Sequence, residues 1–445
     1  MNNTRRDFIK KTAMGVTGLT LAGMGMSKSS YARINGANER INVAIVGLGR
    51  RLGAFIEPIS LKSSNVQLLY LCDVMKSQRD KAVNRFANHI DYKVKLENDY
   101  QKILNDPDVD AIFNATPDHW HAPGTIMGVQ AGKHVYLEKP GSHNAREGEL
   151  LAKAYHKYGK VIQLGNQQRS SIESIDIVNQ IHNGVIGVPY KATSFYNNSR
   201  GATPIAAPAP IPEGLDWDLW QGPAPRRSYE HNTWDYHWHW YGWTYGTAEM
   251  GNNAIHELDV ARWALNVDYP EKVSVEADKR HFIDDGWTVY DTMKAAYYYP
   301  GNKVIEWDGK ARSGYNTYGS GRGNIIYGSE GTVFVNRDGY KLYDRAGKLV
   351  KESKSESGEG GTALGGGGGM TTMHVVNFFN TIRGIEKLNS PIDEMIKSTH
   401  MCHLANISYR LKKDLIIDPK NGKTEDAEVN KLWSRDYEIG WEPNV

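Results

Sequence analysis

The chain has 445 residues, of which 40% are hydrophobic and 23% are charged. Its 53 lysines and arginines nearly balance its 51 acidic residues, which excludes the strongly basic surface of proteins that bind nucleic acids. Two cysteines cannot staple a fold of this size, and no Cys/His spacing indicates a metal site. We therefore expect a soluble globular protein of two or three domains.

Residues 1–32 resemble an export signal of the twin-arginine type. Arg5 and Arg6 precede a weakly apolar, glycine-rich stretch at residues 12–26, which is too short and too mild to span a membrane. Small residues at 30–32 suit cleavage by a signal peptidase. This pattern predicts an exported, periplasmic protein without a membrane span, and the alternative is a plain basic N-terminus.

A glycine turn follows the first predicted strand. The run from Ile41 to Val46 is apolar and β-branched, which is typical of a buried parallel strand. A strand, a glycine turn and a helix N-terminus form a cradle of backbone N–H groups for a pyrophosphate. We expect a dinucleotide to contact Gly47, Leu48, Gly49, Arg50 and Arg51. Leu52 replaces the third glycine of the usual fingerprint, so we expect a shifted turn; a purely structural glycine turn is the alternative.

The acidic partner of this motif is Asp73. A second apolar run, residues 66–71, leads to Asp73, which lies 24 residues after Gly49. A carboxylate at this strand end accepts hydrogen bonds from the adenosine ribose and repels a 2′-phosphate. The sequence therefore favours NAD over NADP.

Strand and helix patterns alternate up to about residue 165. Strands are predicted at 109–114, 134–137 and 161–164, and helices at 78–89, 99–105 and 122–131. Such β-α-β repeats predict a parallel sheet that binds ligands at the carboxyl ends of its strands. The polar side chains predicted at those ends are Thr116, Pro117, His119, His121, Glu138, Lys139, Gln163, Gln168 and Arg169. Their alternative is a role as ordinary turn residues.

Residues 115–121 and the turn Glu138-Lys139-Pro140, carried by a Rossmann domain, resemble the Gfo/Idh/MocA oxidoreductase family. The later segment around His256 strengthens the resemblance, which covers essentially the whole mature chain. The resemblance implies an α/β protein with an N-terminal Rossmann domain and a C-terminal α/β domain. That second domain has a large, mostly antiparallel, open-faced sheet, which covers the nicotinamide and often forms the interface of a homo-oligomer.

The domains are predicted at 33–164 for NAD binding, 165–395 for substrate and oligomer contacts, and 396–445 for a C-terminal helix and tail. Short strands are predicted at 190–196, 272–277, 292–299, 303–308, 324–327, 332–336 and 341–344. The glycine-rich stretch 353–369 predicts a flexible loop or lid hinge. Helices are predicted at 373–383 and 396–412, and residues 433–445 are expected to form a surface arm.

Residues 213–245 are unusually rich in tryptophan and tyrosine. Flat aromatic faces suit sugar rings, and indole and phenol groups can bind hydroxyls. We name Trp238 and Tyr241 as candidate substrate contacts; the alternative is a loop held down by buried aromatics. A metal site at His237 and His239 is disfavoured because a third ligand is absent from the pattern.

Lys139 and His256 are the candidate catalytic residues. Lys139 ends a strand beside the expected nicotinamide, where desolvation would lower its pKa, and Pro140 allows a cis Lys139–Pro140 bond. His256 resembles the family's catalytic histidine, which relays the proton of the reacting hydroxyl. The family's aspartate one turn earlier is here Asn252, which can bind a substrate hydroxyl but cannot accept a proton. Asp259 is expected to orient His256 or to pair with Arg262.

These features predict an NAD(P)-dependent oxidoreductase that oxidises a secondary hydroxyl of a sugar or glycoside with tightly bound nicotinamide. The first alternative is an NAD-dependent glycoside hydrolase that acts by transient oxidation and elimination. A second alternative is a binding module without catalysis. The expected alternatives for Lys139 and His256 are a surface lysine and a helix-capping or core histidine.

Overall fold

The computed structural model of the protein describes residues 39–355 and 369–445. The predicted export signal, residues 1–32, and all but the ends of the predicted glycine-rich loop, residues 353–369, lie outside the described residues. Within the described ranges, no helix is both long enough and apolar enough to cross a membrane. Residues 41–445 form one unit that contains two sheets.

Six parallel strands form the first sheet: β1 Ile41–Val46, β2 Val66–Cys72, β3 Lys95–Glu97, β4 Ala111–Asn114, β5 His134–Leu137 and β6 Ile162–Leu164. Their order is β3-β2-β1-β4-β5-β6. The order reverses at β1, which lies between β2 and β4, so a crevice opens beyond the carboxyl ends of these strands. The predicted Rossmann domain is confirmed.

The helices of this domain are α1 Gly53–Ser60, α2 Lys76–Phe86, α3 Tyr100–Leu104, α4 Asp118–Gln130 and α5 Ala145–Tyr158. A short 3-10 turn at Arg50–Leu52 precedes α1, and the Leu52 side chain is buried in the core. Helix α4 begins at Asp118, four residues before its predicted start. Pro117 is the N-cap residue, and the negative carboxylate of Asp118 in the first turn is stabilised by the positive N-terminal end of the helix dipole. Residues 118–121 therefore lie on a helix and not in a turn.

Ten strands form the second sheet: β7 Pro189–Ser199, β8 Lys272–Asp278, β9 Thr292–Tyr299, β10 Lys303–Lys310, β11 Arg312–Ser313, β12 Arg322–Gly328, β13 Gly331–Asn336, β14 Gly339–Asp344, β15 Leu349–Lys354 and β16 Leu415–Ile416. The order is β15-β14-β13-β12-β7-β10-β9-β8-β16, with β11 paired to β7. Only the β7–β10 pair among these pairs is parallel. The seven predicted strands all occur, and the mostly antiparallel sheet is confirmed.

The remaining helices are α6 Ile172–His182, α7 Trp217–Gln221, α8 Ile255–Leu265, α9 Gly369–Ile382, α10 Ile392–Leu411 and α11 Ala427–Lys431. Helix α8 packs on one face of the large sheet against β7 and β12. Helix α9 returns to pack on α1, and α10 contacts both α5 and α8. Because α10 starts directly after Pro391, the predicted boundary at residue 395 lies inside this helix.

Candidate active site

The glycine turn after β1 holds its backbone close to the neighbouring strand end. Gly47 has φ +88°, and a Cβ there would collide with the backbone oxygen of Ala115. Only glycine meets both conditions without strain. At Gly49 an added Cβ would meet no protein atom within 4 Å, and the space beside it belongs to a large cavity. The turn therefore leaves room for a group to approach its backbone, as a pyrophosphate requires.

Asp73 is tied to this turn by backbone hydrogen bonds. Leu48 N donates to Asp73 Oδ2 at 2.7 Å, and Met75 N donates to Oδ1 at 2.8 Å. Burial raises the pKa of Asp73, while these two N–H donors act in the opposite direction. The carboxylate is fixed at the end of β2 and lines the cavity, so it is placed to accept hydrogen bonds from a ribose.

One cavity joins most of the predicted site residues. The predicted cofactor residues that line it are Gly47, Gly49, Arg50, Arg51, Asp73, Thr116, Pro117, His121 and Glu138. The predicted catalytic and substrate residues that line it are Lys139, Trp238, Asn252 and His256. The cavity thus extends from the glycine turn to the start of α8, and its residues fit a dinucleotide.

Six predicted site residues do not line this cavity. The side chain of Leu48 lies in the apolar core, His119 Nε2 lies 3.0 Å from the Trp220 oxygen, and Tyr241 Oη donates to Pro204 O at 2.6 Å. Gln163 Nε2 donates to His374 O at 2.7 Å, Gln168 Nε2 donates to Asn336 O at 3.2 Å, and Arg169 pairs with Asp259. A position after a strand does not determine the direction of a side chain once a helical turn begins there. The side chains of these six residues therefore do not line the cavity.

Lys139 contacts the polypeptide turn that leads into α8. Its Nζ donates to the backbone oxygen of Asn252 at 2.8 Å and to Oδ1 of the same residue at 3.3 Å. The Lys139–Pro140 bond is cis, the arrangement that Pro140 allows. Burial lowers the pKa of Lys139, although the charges of Glu138 and Asp118 oppose this effect. One of the three ammonium N–H groups is left for a ligand.

A glycine allows this close approach between the two domains. Asn252 lies in a π-helical turn, Met250–Ala254, which continues into α8. A Cβ at Gly251 would collide with Thr247 Oγ1 and would lie 2.9 Å from Cγ of Pro140. The turn therefore packs directly on the Lys139–Pro140 segment. Single π-turns of this kind occur frequently at functional sites.

His256 lies at the start of α8 and is only 4% exposed. Its side chain lines the cavity. Burial lowers the pKa of His256 far below its usual value, and the positive charges of Arg337 and Lys139 lower it further. The neutral imidazole can therefore accept a proton.

Asp259 has a different partner from either of those predicted. Its Oδ1 and Oδ2 accept hydrogen bonds from Arg169 Nη2 at 2.8 Å and Nε at 2.9 Å. Arg262 instead donates to Glu394 at 3.0 Å. The prediction that Asp259 pairs with His256 or Arg262 is wrong, because α8 turns Asp259 towards the segment after β6.

His239 lines the same cavity, a role that the sequence analysis missed. Its Nδ1 donates to the backbone oxygen of Tyr236 at 2.7 Å, and its ring stacks on Trp238 with centroids 3.6 Å apart. Burial lowers the pKa of His239, and Lys139 and Arg200 act in the same direction. Since Nδ1 carries the proton, Nε2 carries the lone pair of the neutral ring. The motif His-Trp-His was visible in the sequence, but its partners were not.

The rings of the aromatic segment, residues 213–245, lie in two kinds of surroundings. Five of its rings are buried in a separate apolar cluster with Met75 and Leu215, namely Trp217, Trp220, Tyr229, Trp238 and Tyr245. Trp240 stacks on Trp287, with centroids 3.9 Å apart, in the core of the second domain. The segment's members that line the cavity are Trp220, Trp234, Tyr236 and Trp238. Its rings therefore fix the loop and also supply a flat wall to the cavity.

Three arginine–carboxylate pairs surround the cavity. They are Arg51–Glu138 at 2.6 Å, Arg200–Glu249 at 2.9 Å and Arg322–Glu257 at 2.7 Å. Each of these pairs balances its own charge. Among the residues in the described ranges, no group of three or more His, Cys, Asp or Glu side chains could hold a metal ion.

Comparison with known families gives two adjacent matches. Residues 41–166 match the NAD-binding Rossmann fold of the Gfo/Idh/MocA oxidoreductase family, and residues 171–336 match the family's C-terminal α/β domain. Together the matches cover well over half of the chain.

Individual relatives are more distant. Inositol 2-dehydrogenase of Salmonella typhimurium is 24% identical over 230 residues, which are 52% of this chain and 56% of that protein. Glycosyl hydrolase family 109 protein 1 of Shewanella sp. strain MR-4 is 27% identical over 203 residues, 42% of this chain and 44% of that protein. The chain thus spans about half the length of these relatives. The crystal structure of aldose-aldose oxidoreductase from Caulobacter crescentus, complexed with glycerol, has a TM-score of 0.63 at 17% identity and covers 85% of this chain and 100% of its own. At that identity the likeness shows the fold alone.

Proposed function

The chain belongs to the Gfo/Idh/MocA oxidoreductase family, and from that premise we propose that it oxidises a secondary hydroxyl of a sugar or glycoside. The glycine turn and Asp73 would hold NAD, which when bound supplies the hydride acceptor. The carboxylate of Asp73 disfavours a 2′-phosphate, so NADP is the less suitable cofactor. The inositol dehydrogenase relative supports this substrate class.

Lys139 and His256 would bind opposite sides of one hydroxyl group. An alcohol both donates and accepts a hydrogen bond. The Lys139 ammonium can donate to the hydroxyl oxygen, while the neutral ring of His256 accepts the hydroxyl proton as the carbonyl forms. Lys139 then stabilises the carbonyl oxygen of the product. Asn252 positions Lys139 and takes no proton in this scheme.

The single observation that carries the proposal is the pair of hydrogen bonds between Lys139 and Asn252. They bring the strand end of the Rossmann domain to the turn that precedes His256. The test is mass spectrometry of products after incubating the NAD-loaded protein with a panel of glycosides and inositols. We expect loss of two hydrogens from one substrate, and no such loss with Lys139→Ala or His256→Ala. The exposed Lys102 supplies the control Lys102→Ala. Unchanged products in the Lys139 and His256 variants would contradict the proposal.

A second candidate is glycoside hydrolysis by transient oxidation, and His239 favours it. Elimination needs a base besides the one that serves the hydroxyl. After a ring hydroxyl has become a ketone, His239 would take the proton from the adjacent carbon while the C–O bond to the aglycone breaks. Addition of water and return of the hydride leave no net oxidation. The Shewanella glycosyl hydrolase relative supports this route. Release of aglycone from a chromogenic glycoside, without net change in bound NAD, distinguishes it from simple dehydrogenation.

We further propose that the protein is exported to the periplasm and that copies associate through the second sheet. Export is supported by Arg5 and Arg6, and Arg5→Lys with Arg6→Lys should retain the protein in the cytoplasm in cell fractionation. Association is supported by Tyr190 and Tyr298, which are 47% and 42% exposed on the sheet. Light scattering of Tyr298→Glu should then report a smaller particle than the native protein.

A further inference from the structure

The C-terminal segment 433–445, here called the strap, lies on the surface, with no residue fully buried, and packs along the Rossmann domain. Arg146 N donates to the backbone oxygen of Trp433 at 2.9 Å. Arg435 Nε donates to Oε1 of the fully buried Glu147 at 2.9 Å, and Tyr437 Oη donates to the same oxygen at 2.9 Å. The first half of the strap is therefore fixed to α5.

A second contact of the strap is with a backbone carbonyl of α4 that has no N–H partner within the helix. Pro123 lacks the N–H that would otherwise bind the oxygen of His119 in a regular helix. Arg435 Nη2 donates to that oxygen at 2.6 Å. A buried carbonyl of the helix thus obtains its partner from the strap, which makes this contact costly to break.

The far end of the strap is fixed as well. Glu438 N donates to Pro223 O at 3.1 Å, and Gln130 Nε2 donates to the backbone oxygen of Asn444 at 2.7 Å. Val445 packs on the apolar cluster between α4 and β5. The strap is therefore held on both sides of Trp441.

Trp441 lines the cavity and packs on the apolar cluster that contains Cys72, the last residue of β2, and Tyr100 of α3. Its ring packs edge-to-face on Trp120, with centroids 5.1 Å apart and planes at 83°. Tyr100 and Met127 belong to the same cluster and line the cavity with it, as does Asp73, which directly follows Cys72. In a Rossmann domain this end of the crevice receives the adenosine half of the dinucleotide.

We propose that the strap closes the adenosine end of the site and that Trp441 packs against the adenine, so that NAD is retained between turnovers. This inference rests on the NAD binding of the proposed function. An adenine ring has a flat π face that an indole can cover, and its departure would require the anchored strap to open.

The experiment measures release of NADH from the native chain, Trp441→Ala and Trp441→Phe by fluorescence after displacement with excess NAD. The matched control is Ile439→Ala, because Ile439 lies two residues away and is 94% exposed. We expect Trp441→Ala to release NADH about tenfold faster or more, with Trp441→Phe close to native and Ile439→Ala unchanged. Reduced nicotinamide mononucleotide, which lacks adenosine, should bind all four proteins equally.

Three results would overturn the inference. Release of NADH from Trp441→Ala at the native rate would show that Trp441 does not hold the cofactor. An equal loss of affinity for NADH and for the mononucleotide would place its effect away from the adenine. If the native chain itself binds neither nucleotide, the proposed function fails and the strap's role fails with it. Should Trp441→Ala lower the unfolding temperature, Trp441→Leu keeps the apolar bulk without the indole and is read by the same criteria.

Discussion

Lys139 Nζ donates hydrogen bonds to both oxygens of Asn252, at 2.8 Å to the backbone oxygen and 3.3 Å to Oδ1. This contact joins the end of a Rossmann strand to the turn that leads into the helix of His256. The side chain of Asn252 is uncharged, so it orients the ammonium group without neutralising it. Burial can therefore keep the pKa values of both Lys139 and His256 below their usual ranges.

Replacing Asn252 by aspartate should shift the pH dependence of the reaction upwards. A carboxylate beside Lys139 favours the protonated forms of both Lys139 and His256, by about one pKa unit. Because the reaction needs neutral His256, its rate should be lost at a higher pH in Asn252→Asp than in the native protein. The measurement is the pH profile of reduction of bound NAD. Asn252→Ala adds no charge, so the acidic limb of its pH profile should stay at the native pH. A profile of Asn252→Asp identical to that of the native protein would contradict the expected effect of the carboxylate on His256.

Two glycines of the first turn should respond differently to alanine. Gly47→Ala meets the Ala115 backbone at positive φ, so it should lower the free energy of unfolding. Gly49→Ala meets no protein atom and should leave stability within about 0.5 kcal/mol. It should nevertheless weaken NAD binding, because its methyl group occupies the space beside the pyrophosphate. Thermal unfolding and calorimetric titration with NAD separate the two effects. Native NAD affinity in Gly49→Ala would show that no cofactor lies there.

His239 and His237 provide a matched pair within one motif. His239 lines the cavity, whereas His237 does not, although both belong to the same 3-10 turn. If glycoside elimination operates, His239→Gln should slow two steps unequally. The rate of aglycone release should fall about a hundredfold more than the rate at which bound NAD is converted to NADH. His237→Gln should leave both rates close to native. Equal losses in the two steps for His239→Gln would assign His239 to substrate binding alone and would disfavour elimination.

Buried His374 should make the fold sensitive to acid. Burial lowers the pKa of His374 to about 4, from an unfolded value of 6.5. The unfolded chain then binds more protons, so stability is complete above pH 6.5 and falls as the pH drops towards 4. At about pH 5 the expected loss from this residue is about 2 kcal/mol relative to neutral pH.

The check is denaturant unfolding of the native protein and of His374→Gln at neutral pH and at about pH 5. His374 lies between Ser170 Oγ at 2.7 Å and the Leu164 oxygen at 2.9 Å, so glutamine preserves polar contacts but does not titrate. The variant should lose less stability on acidification than the native protein does. An equal loss in both would assign the acid sensitivity to other groups.

Local signals were sufficient to predict most of the fold. The run from Ile41 to Val46, the following glycines and Asp73 all lie within one β-α-β unit, where spacing along the chain determines spacing in the structure. The strands of the second sheet were equally visible because their alternation and turns are local. Helix α4 was predicted too late, since His119 and Trp120 concealed the start that Pro117 sets.

The remaining site residues depend on contacts between distant parts of the chain. Asp259 pairs with Arg169, which precedes it by 90 residues, and no helical spacing could indicate that choice. His239 faces the cavity because Tyr236 holds its Nδ1, and that orientation depends on the packing of the whole aromatic segment. Trp441 reaches the cavity only because the strap crosses α4 and α5, so a terminal tail gave no indication of it.

The most direct test of the account is rapid mixing of the NAD-loaded protein with its substrate sugar while the absorbance of reduced nicotinamide is followed. The native protein should show reduction of its bound NAD in a single turnover. Lys139→Ala and His256→Ala should bind the same amount of NAD and show a rate at least about a hundredfold lower. Native rates in both loaded variants would contradict the claim that these two side chains act on one alcohol carbon.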